Sequence, residues 1–288
     1  MEKIQNKYFN TALVDADYIM WIACNPNKVL GSNGYPLKVD NKFVYTPKTV
    51  QEALDTCDAY IKDILNFTQA DSYIMFLTTG TTFRFEFDKS YKANRVGMEK
   101  PLWFHEVKAH MIKEWDAVEV PGLEADDLVV ITKNHMNNCF IVAADKDIID
   151  CVPGKHFDAR KGRTQFVTTS ESEAEYSFAK SLLTGDSVDG IPNLVKGMGP
   201  KTAEGELAKR IDHHMINPLY AAFTTFVDTL GETQGIERFY KQYKLLKIVD
   251  SLDNIPEGIV YSIPEPNCFN CLEAVLSAEH YQLKYYGK

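Results

Sequence analysis

Short apolar runs alternate with helical patterns in the first half of the chain. The runs lie at residues 11–14, 73–77, 117–120 and 140–144, and each predicts a buried strand. Between them, helical spacing follows Thr46-Pro47, an N-cap followed by proline, and returns over residues 101–115 and 124–136. Residues 28–45 predict a hairpin or a loop excursion. Strands that are apolar throughout and separated by helices are typical of a parallel, doubly wound sheet.

The second half of the chain has a different pattern, with helical spacing at residues 170–183, 201–211, 218–230 and 236–249. We therefore predict two parts. An α/β domain spans residues 1–168, and a helical subdomain with a C-terminal extension spans residues 169–288.

Composition limits the class of protein. The 288 residues are 45% hydrophobic and 25% charged, as in an ordinary soluble globular protein. The first ten residues contain no apolar run, so no signal peptide is expected, and no stretch of about 18 apolar residues predicts a membrane span. Six scattered cysteines fit reduced thiols better than a disulfide framework. We expect a cytoplasmic monomer.

The net charge of −9 argues, taken alone, against a nucleic-acid partner. Much of that charge is concentrated, however, and bound divalent cations would offset it. Nine acids fall in four short clusters: Asp15, Asp17, Glu124, Asp126, Asp127, Asp145, Asp147, Asp186 and Asp189.

Three of these clusters follow predicted strands. Asp15 and Asp145 come directly after apolar runs, and Glu124 follows a strand and a Pro-Gly turn where a helix begins. A single acid at such a place is usually a helix cap. Several clusters at one edge of a sheet repel one another strongly, and cations relieve that repulsion. Oxygen-only ligands favour Mg²⁺ or Mn²⁺, and two such ions suit phosphodiester hydrolysis.

Basic and glycine-rich segments complete the pattern. Lys92 and Arg95 are three residues apart and, on a helix, would share a face that is solvated in most proteins but could contact a phosphate here. A Gly-Met-Gly turn at residues 197–199 is similar to a helix–hairpin–helix turn, whose backbone N–H groups hold DNA phosphates. No GxSxG or GxxxxGK[ST] motif is present, which argues against a serine hydrolase or a P-loop nucleotide triphosphatase.

These segments, in this order, resemble the 5′-nuclease family of bacteriophage 5′-exonucleases, flap endonucleases and the 5′-exonuclease domain of DNA polymerase I. The matching blocks are LVDAD at 13–17, YKANR at 91–95, GLEADDL at 122–128, AADKD at 143–147 and GDSVDGIPNLVKGMGPKTA at 185–203. The resemblance implies a PIN-like α/β fold with a helical subdomain. The short distance between the second and third blocks is more similar to the phage and polymerase-associated branch than to the eukaryotic one, and the separate, single-chain format suggests a phage enzyme working in the host cytoplasm.

The resemblance also implies roles for individual residues. Two or more Mg²⁺ or Mn²⁺ ions would be held by eight of the nine acids, all except Asp17, and Asp15, Glu124 and Asp126 would be central to catalysis. Lys92 and Arg95 would contact the scissile phosphate. The DNA-binding set is expected to be Tyr91, Lys92, Arg95, Lys196, Gly197, Gly199, Lys201 and Thr202, with a potassium ion at the glycine-rich turn.

One position departs from the family pattern. Relatives carry an aspartate at the end of the second strand, whereas Thr78 stands at that place here. We predict that Asp17 partly replaces the absent carboxylate. On a continuing strand Asp15 and Asp17 would point to one face, but if a helix begins at once, Asp17 is equally well explained as a cap.

The sequence therefore predicts a metal-dependent 5′→3′ exonuclease acting on DNA, with flap endonuclease cutting as a second activity and a DNA polymerase as a partner to consider. Two alternatives stay open. One is a PIN-like ribonuclease that removes RNA from hybrids, which the glycine-rich turn argues against. The other is a degenerate, structure-specific DNA-binding module, supported only by Thr78.

Overall fold

A mostly parallel sheet is the centre of the fold. The computed structural model describes residues 10–160, 164–211 and 217–269. The strands in chain order are β1 (Thr11–Asp15), β2 (Asn27–Lys28), β3 (Lys38–Val39), β4 (Lys42–Phe43), β5 (Tyr45–Thr46), β6 (Ser72–Leu77), β7 (Val118–Glu119), β8 (Cys139–Ala143), β9 (Gly154–Asp158), β10 (Gln165–Thr169) and β11 (Asn267–Cys268).

The helices surround this sheet and continue beyond it. In chain order they are α1 (Asp17–Cys24), α2 (Val50–Phe67), α3 (Phe83–Phe87), α4 (Phe104–Glu114), α5 (Ala125–His135), α6 (Lys146–Cys151), α7 (Glu171–Thr184), α8 (Pro200–Ile211), α9 (Pro218–Leu230) and α10 (Glu232–Leu246). In the described part of the chain, none of them is long and apolar enough to cross a membrane.

Strand order runs β10-β9-β8-β1-β6-β11, with β7 pairing beside the other end of β6. Strand β1 is parallel to both β6 and β8, β8 is parallel to β9, and β6 is parallel to β7, while β10 and β11 pair in the antiparallel sense. The chain thus passes from β1 to β6 on one side and places β8 on the other. Ligands of α/β proteins bind at such a switch point.

Both faces of the sheet are covered, which explains why its central strands are mainly apolar. One core packs α1, α2 and α4 on the sheet through residues such as Ile19, Ile61 and Met111. A second packs α5 and α6 on the opposite face through Leu128 and Ile148. The predicted doubly wound, PIN-like α/β fold is confirmed.

Helices α7 to α10 share a core of their own around Leu182, Leu207 and Phe226. The chain then returns to the sheet, because Ile248 and Val249 join the core beneath α5. The domain boundary at residue 168 stays a prediction. The C-terminal extension up to residue 269 packs on the α/β part through that core and through β11.

The start of helix α2 differs from the prediction because of the residues that cap it. Helix α2 begins after Thr49 rather than at Thr46-Pro47, and the prediction was wrong by one turn. Thr49 and Glu52 form a capping box, in which Glu52 N donates to Thr49 Oγ1 at 3.2 Å and Thr49 N donates to Glu52 Oε2 at 2.7 Å. Thr46 instead pairs with β2, so the predicted excursion at residues 28–45 consists of two small antiparallel ribbons.

Thiol chemistry departs from expectation at one position. Cys24, Cys57, Cys139 and Cys151 are free thiols, whereas Cys268 is disulfide-bonded. The expectation of reduced cysteines therefore holds for four residues and is wrong for Cys268.

Candidate active site

Acidic side chains stand where the central strands end. Asp15 is the last residue of β1, Asp145 caps α6 after β8, and Glu124 is the N-cap of α5. Asp145 Oδ1 accepts from the N–H of Asp147 at 2.7 Å. The sequence folds this way because carboxylates satisfy the free N–H groups and complement the dipole at a helix start.

The carboxylates of the predicted clusters form one group, which we call the acid cluster: Asp15, Asp17, Glu124, Asp126, Asp145, Asp147, Asp186 and Asp189. Each is linked to another by charge. The carboxylate of Asp15 is repelled by those of Asp17 and Asp145. The carboxylates of Asp17 and Asp126 are both repelled by that of Glu124. Asp147 is repelled in the same way by Asp145, Asp186 and Asp189, and Asp189 is repelled by Glu124. The structure thus brings together acids that span 174 positions of the sequence, from 15 to 189.

This concentration of charge alters proton affinity. Burial first, and then Asp17 and Asp145, raise the pKa of Asp15 well above its ordinary value. Burial and the neighbouring Asp127 and Glu124 do the same for the pKa of Asp126. Burial and Asp145 raise the pKa of Asp147 to about 7. The protein alone therefore leaves negative charge in the cluster uncompensated.

Two basic side chains from residues 91–95 reach the acid cluster. Lys92 Nζ donates to Glu124 Oε1 and Oε2 at 2.9 and 3.0 Å and lies 3.8 Å from Asp189 Oδ2. Arg95 Nη2 lies 2.5 Å from Asp189 Oδ1. The predicted helical stripe is wrong, because Lys92 has a left-handed φ of +53° and residues 93–95 form a single 3₁₀ turn. That turn, rather than an α-helix, aims both side chains at the acids.

Glu124 is the most heavily bonded acid of the cluster. Besides Lys92, it accepts from the Tyr91 hydroxyl at 3.1 Å and the Thr82 hydroxyl at 3.3 Å. Burial would raise its pKa, but the charges of Arg84 and Lys92 outweigh that effect and lower it. Glu124 is consequently held as an anion at a defined place.

Tyr91 does not fit its predicted role in DNA binding. Its side chain is buried, and its hydroxyl bonds Glu124 and Asp189 Oδ2, the latter at 3.2 Å. A buried ring cannot stack on a base or lie along a phosphate backbone. Tyr91 instead supports the acids from beneath.

Asp127 was predicted as a metal ligand, and the structure contradicts this. Both of its oxygens accept hydrogen bonds from the Arg84 guanidinium, at 2.7 and 2.8 Å. Each oxygen also accepts one backbone N–H, from Glu124 at 3.2 Å and from Val249 at 2.8 Å. No lone pair is left for a cation. Sequence reasoning missed Arg84, since a lone arginine in the apolar stretch FRFEF carries no signal of its own.

Asp17 begins helix α1, so the argument from a continuing strand is wrong. Its carboxylate does not cap that helix either. It accepts from the N–H of Thr78 at 3.0 Å and bonds the Thr78 hydroxyl, which in turn accepts from the N–H of Ala125 at 2.9 Å. Burial raises the pKa of Asp17, and Glu124 adds to this effect. Thr78 therefore ties Asp17 to the start of α5.

The loop at residues 185–191 carries the last two acids. Asp186 Oδ1 accepts from the N–H groups of Val188 and Asp189, while Oδ2 lies 3.3 Å from Lys146 Nζ. The carbonyl of Asp189 accepts from Lys92 N at 2.8 Å, which joins this loop to residues 91–95. Gly185 is required here, with φ of +62° and a backbone so close that a Cβ would lie 2.4 Å from the Ile191 carbonyl oxygen.

The glycine-rich turn leads directly into α8. Met198 is buried in the core of α7 to α10 and anchors the turn, and Gly197 has a left-handed φ of +89°. The stretch before the turn is irregular, since α7 already ends at Thr184, so only the following helix of the expected pair adjoins it. The predicted phosphate contacts, apart from half-buried Gly199, are exposed around the start of α8: Lys196, Gly197, Lys201 and Thr202.

The described part of the chain does not contain a preformed metal-binding site. Among the described residues, no group of three or more His, Cys, Asp or Glu side chains has the geometry of a metal site. The ammonium groups of Lys92 and Lys146 lie against acids of the cluster, at the distances given above. The metal ligands therefore stay a prediction.

Comparison of the sequence with known protein families gives a match to part of the chain. A model of the 5′-3′ exonuclease, N-terminal resolvase-like domain, matches residues 42–178, which include β6, α5, β8 and half of the acid cluster. This match supports the resemblance to the 5′-nuclease family, and the prediction of a nuclease of this kind is confirmed. A comparison with curated proteins found no match.

Solved structures share the fold. A bacteriophage T5 flap endonuclease, in a complex with DNA and metal ions, is 14% identical with a TM-score of 0.53, covering 84% of this chain and 89% of that one. A mutant T5 5′-exonuclease is 14% identical with a TM-score of 0.51, covering 84% and 87%. The catalytic core of Rad2 with a DNA substrate is 10% identical with a TM-score of 0.51, covering 98% and 88%. At these identities the likeness is one of fold.

Proposed function

We propose that this chain is a divalent-metal-dependent 5′→3′ exonuclease that acts on DNA, with flap endonuclease cutting as a second activity. The observation that carries the proposal is the acid cluster at the carboxyl end of the sheet, with Lys92 and Arg95 directed into it. Carboxylates and basic side chains around one cleft are the groups that phosphodiester hydrolysis requires.

The donor chemistry fits Mg²⁺ or Mn²⁺, in two or more sites. All members of the acid cluster offer carboxylate oxygen, which hard divalent cations prefer. The raised pKa values of Asp15, Asp126 and Asp147 mark negative charge that cations would neutralise. When bound, such ions activate water and stabilise the leaving oxygen.

The chain's own residues have separate tasks in this proposal. Lys92 exchanges its bond with Glu124 for one with the phosphate, so that its charge stabilises the transition state. Arg95, with its side chain 45% exposed, meets the phosphate from the open side. Glu124 keeps its place during this exchange because Tyr91 and Thr82 still bond it.

Duplex DNA is proposed to lie on the glycine-rich turn and the start of α8. Exposed N–H groups and the helix N-terminus there would hold a phosphate, with or without a potassium ion, and Lys196 and Lys201 would add positive charge. The T5 flap endonuclease and Rad2 structures, which share this fold, contain DNA.

A panel of substrates tests this function. A 5′-flap, a nicked duplex and an RNA–DNA hybrid, each labelled internally, are incubated with chelator, Mg²⁺ or Mn²⁺. We expect cutting of the two DNA substrates from or near the 5′ end, only when metal is present. Lys113→Ala, which changes an exposed lysine far from the cluster, serves as the control for Lys92→Ala.

The outcomes separate the alternatives. Cutting of the hybrid alone would favour the ribonuclease. Binding of flap DNA without cutting in either metal would favour a degenerate DNA-binding module. Undiminished cutting after exhaustive chelation would exclude the metal-dependent reaction.

A further inference from the structure

Arg84 is the largest fully buried side chain among the described residues, and its exposed fraction is 2%. It lies on α3, early in the sequence, yet it bonds the last turn of α10 and the residue that follows this helix. Its Nε donates to the carbonyl of Leu245 at 3.0 Å, and its Nη2 donates to the carbonyl of Lys247 at 2.8 Å. One edge of the guanidinium, formed by Nε and Nη2, is thus hydrogen-bonded to the backbone of residues 245–247.

The other edge of the guanidinium holds Asp127 on α5. Asp127 in turn accepts from the N–H of Val249, beyond the same C-terminal segment, and from the N–H of Glu124. Arg84 and Asp127 therefore form one bonded unit, which joins residues 245–249 to the first turn of α5.

The first turn of α5 carries two members of the acid cluster. Glu124 and Asp126 flank the helix start, and Arg84 Nη1 also lies 3.7 Å from Glu124 Oε2. A guanidinium presents its N–H groups in one rigid plane, which lets it bond two backbone carbonyls and a carboxylate together. Lysine would keep the charge at this position but could not make that set of bonds.

We propose that Arg84 is a positioning residue, which through Asp127 makes the placement of Glu124 and Asp126 depend on docking of residues 245–249. The inference rests on the proposed metal-dependent function. The active site is thereby completed by a distant segment of the sequence, since Asp127 and Val249 are separated by 122 positions. Groups that hold metal ligands from behind affect metal affinity by about 10- to 100-fold.

Arg84→Lys tests the proposal, with Tyr261→Phe as the matched control. The Tyr261 hydroxyl also joins the C-terminal segment to α5, through Thr132 Oγ1 at 2.6 Å, but it does so two turns away from Glu124. Both variants remove contacts between the same two parts of the chain. Only Arg84→Lys removes the contact that reaches the acid cluster.

Three measurements are made on the full chain at a temperature below all unfolding transitions. Calorimetric titration with Mn²⁺ gives metal affinity, amide hydrogen exchange of a peptide covering residues 122–130 gives the order of the α5 start in metal-free protein, and steady-state kinetics separate kcat from KM. For Arg84→Lys we expect Mn²⁺ affinity about 10- to 100-fold weaker, faster exchange, and lower kcat with little change in KM. Tyr261→Phe should match the parent in all three.

Parent-like Mn²⁺ affinity and exchange in Arg84→Lys would overturn the proposal, and so would equal losses in both variants, which would indicate docking without positioning. If Arg84→Lys does not fold, Asp127→Asn, which keeps the shape and breaks the ionic fork, takes its place with the same expected results. A parent protein that neither binds Mn²⁺ nor cuts DNA would refute the proposed function, while the exchange measurement would still decide the role of Arg84.

Discussion

Replacing Thr78 by aspartate adds the carboxylate that the family resemblance predicts at this position, and we expect it to destabilise this protein when metal is absent. The Thr78 hydroxyl now accepts from Ala125 N and bonds Asp17. In Thr78→Asp, a carboxylate oxygen can still accept from Ala125 N. It would, however, face the Asp17 carboxylate, whose Oδ1 already lies 3.0 Å from Thr78 N.

The loss of stability follows from the repulsion between the two facing carboxylates. Two carboxylates about 4 Å apart repel by roughly 4 kcal/mol at an effective dielectric constant of about 20. Lys108, which donates to the Thr78 carbonyl at 3.0 Å, offsets little of this because it already pairs with Glu119 at 2.5 Å. For a protein of this size, such a loss corresponds to a fall in Tm of roughly 10 °C.

Thermal unfolding with chelator and then with Mg²⁺ measures the effect. Thr78→Asn has the shape of aspartate without its charge and is the control. In chelator, Thr78→Asp should unfold well below Thr78→Asn, and adding Asp17→Asn to Thr78→Asp should recover most of the difference. Mg²⁺ should narrow the gap, because a cation between two carboxylates removes their repulsion.

Equal melting of Thr78→Asp and Thr78→Asn in chelator would refute this reasoning, since Asp17 would then not face position 78. A gap that Asp17→Asn fails to reduce would show that the cost arises from a different acid.

Three further predictions concern the same site. Lys92→Ala should lower kcat by about 10²- to 10³-fold with little change in duplex affinity, since its charge serves the transition state; lost affinity with normal kcat would contradict this. Gly199→Val should weaken binding of unrelated duplexes equally, while the fold persists by circular dichroism, because nothing lies within 4 Å of a Cβ there; unchanged binding would exclude the turn as a phosphate contact. In chelator, the free energy of unfolding should fall between about pH 4 and pH 7, because folded Asp147, with a pKa of about 7, keeps a proton that the unfolded chain, at 3.8, has released. A free energy of unfolding that rises with pH over that interval would contradict this prediction.

The sequence predicts the sheet well because its central strands are buried on both faces. Strands β1, β6 and β8 are mainly apolar, and the acids at the ends of β1 and β8 must meet at one edge once the strands are parallel. The acid cluster could therefore be placed without coordinates.

Other features depend on contacts between distant parts of the chain. Nothing near Asp127 in the sequence indicates that Arg84 and Val249 occupy both its oxygens. Nor does the YKANR segment reveal that Tyr91 is buried and that both Tyr91 and Lys92 bond Glu124, because a left-handed residue breaks the helical spacing that would have placed them. Strands β9 and β10 were missed for a related reason, since they pair with each other at the sheet edge and their alternation of apolar and polar residues is weak.

The return of the chain to the sheet has a consequence for how the protein is made. Ile248 and Val249 close the core beneath α5, and Cys268 pairs with Ser72 at the edge of β6. During synthesis, domains generally fold as units from the N-terminus onward. Here the α/β part cannot close until about residue 269 has left the ribosome, by which time α7 to α10 are already available to fold around their own core. Helices α7 to α10 are therefore expected to fold before the α/β part that precedes them, and a nascent chain stalled after residue 168 would expose apolar surface to chaperones.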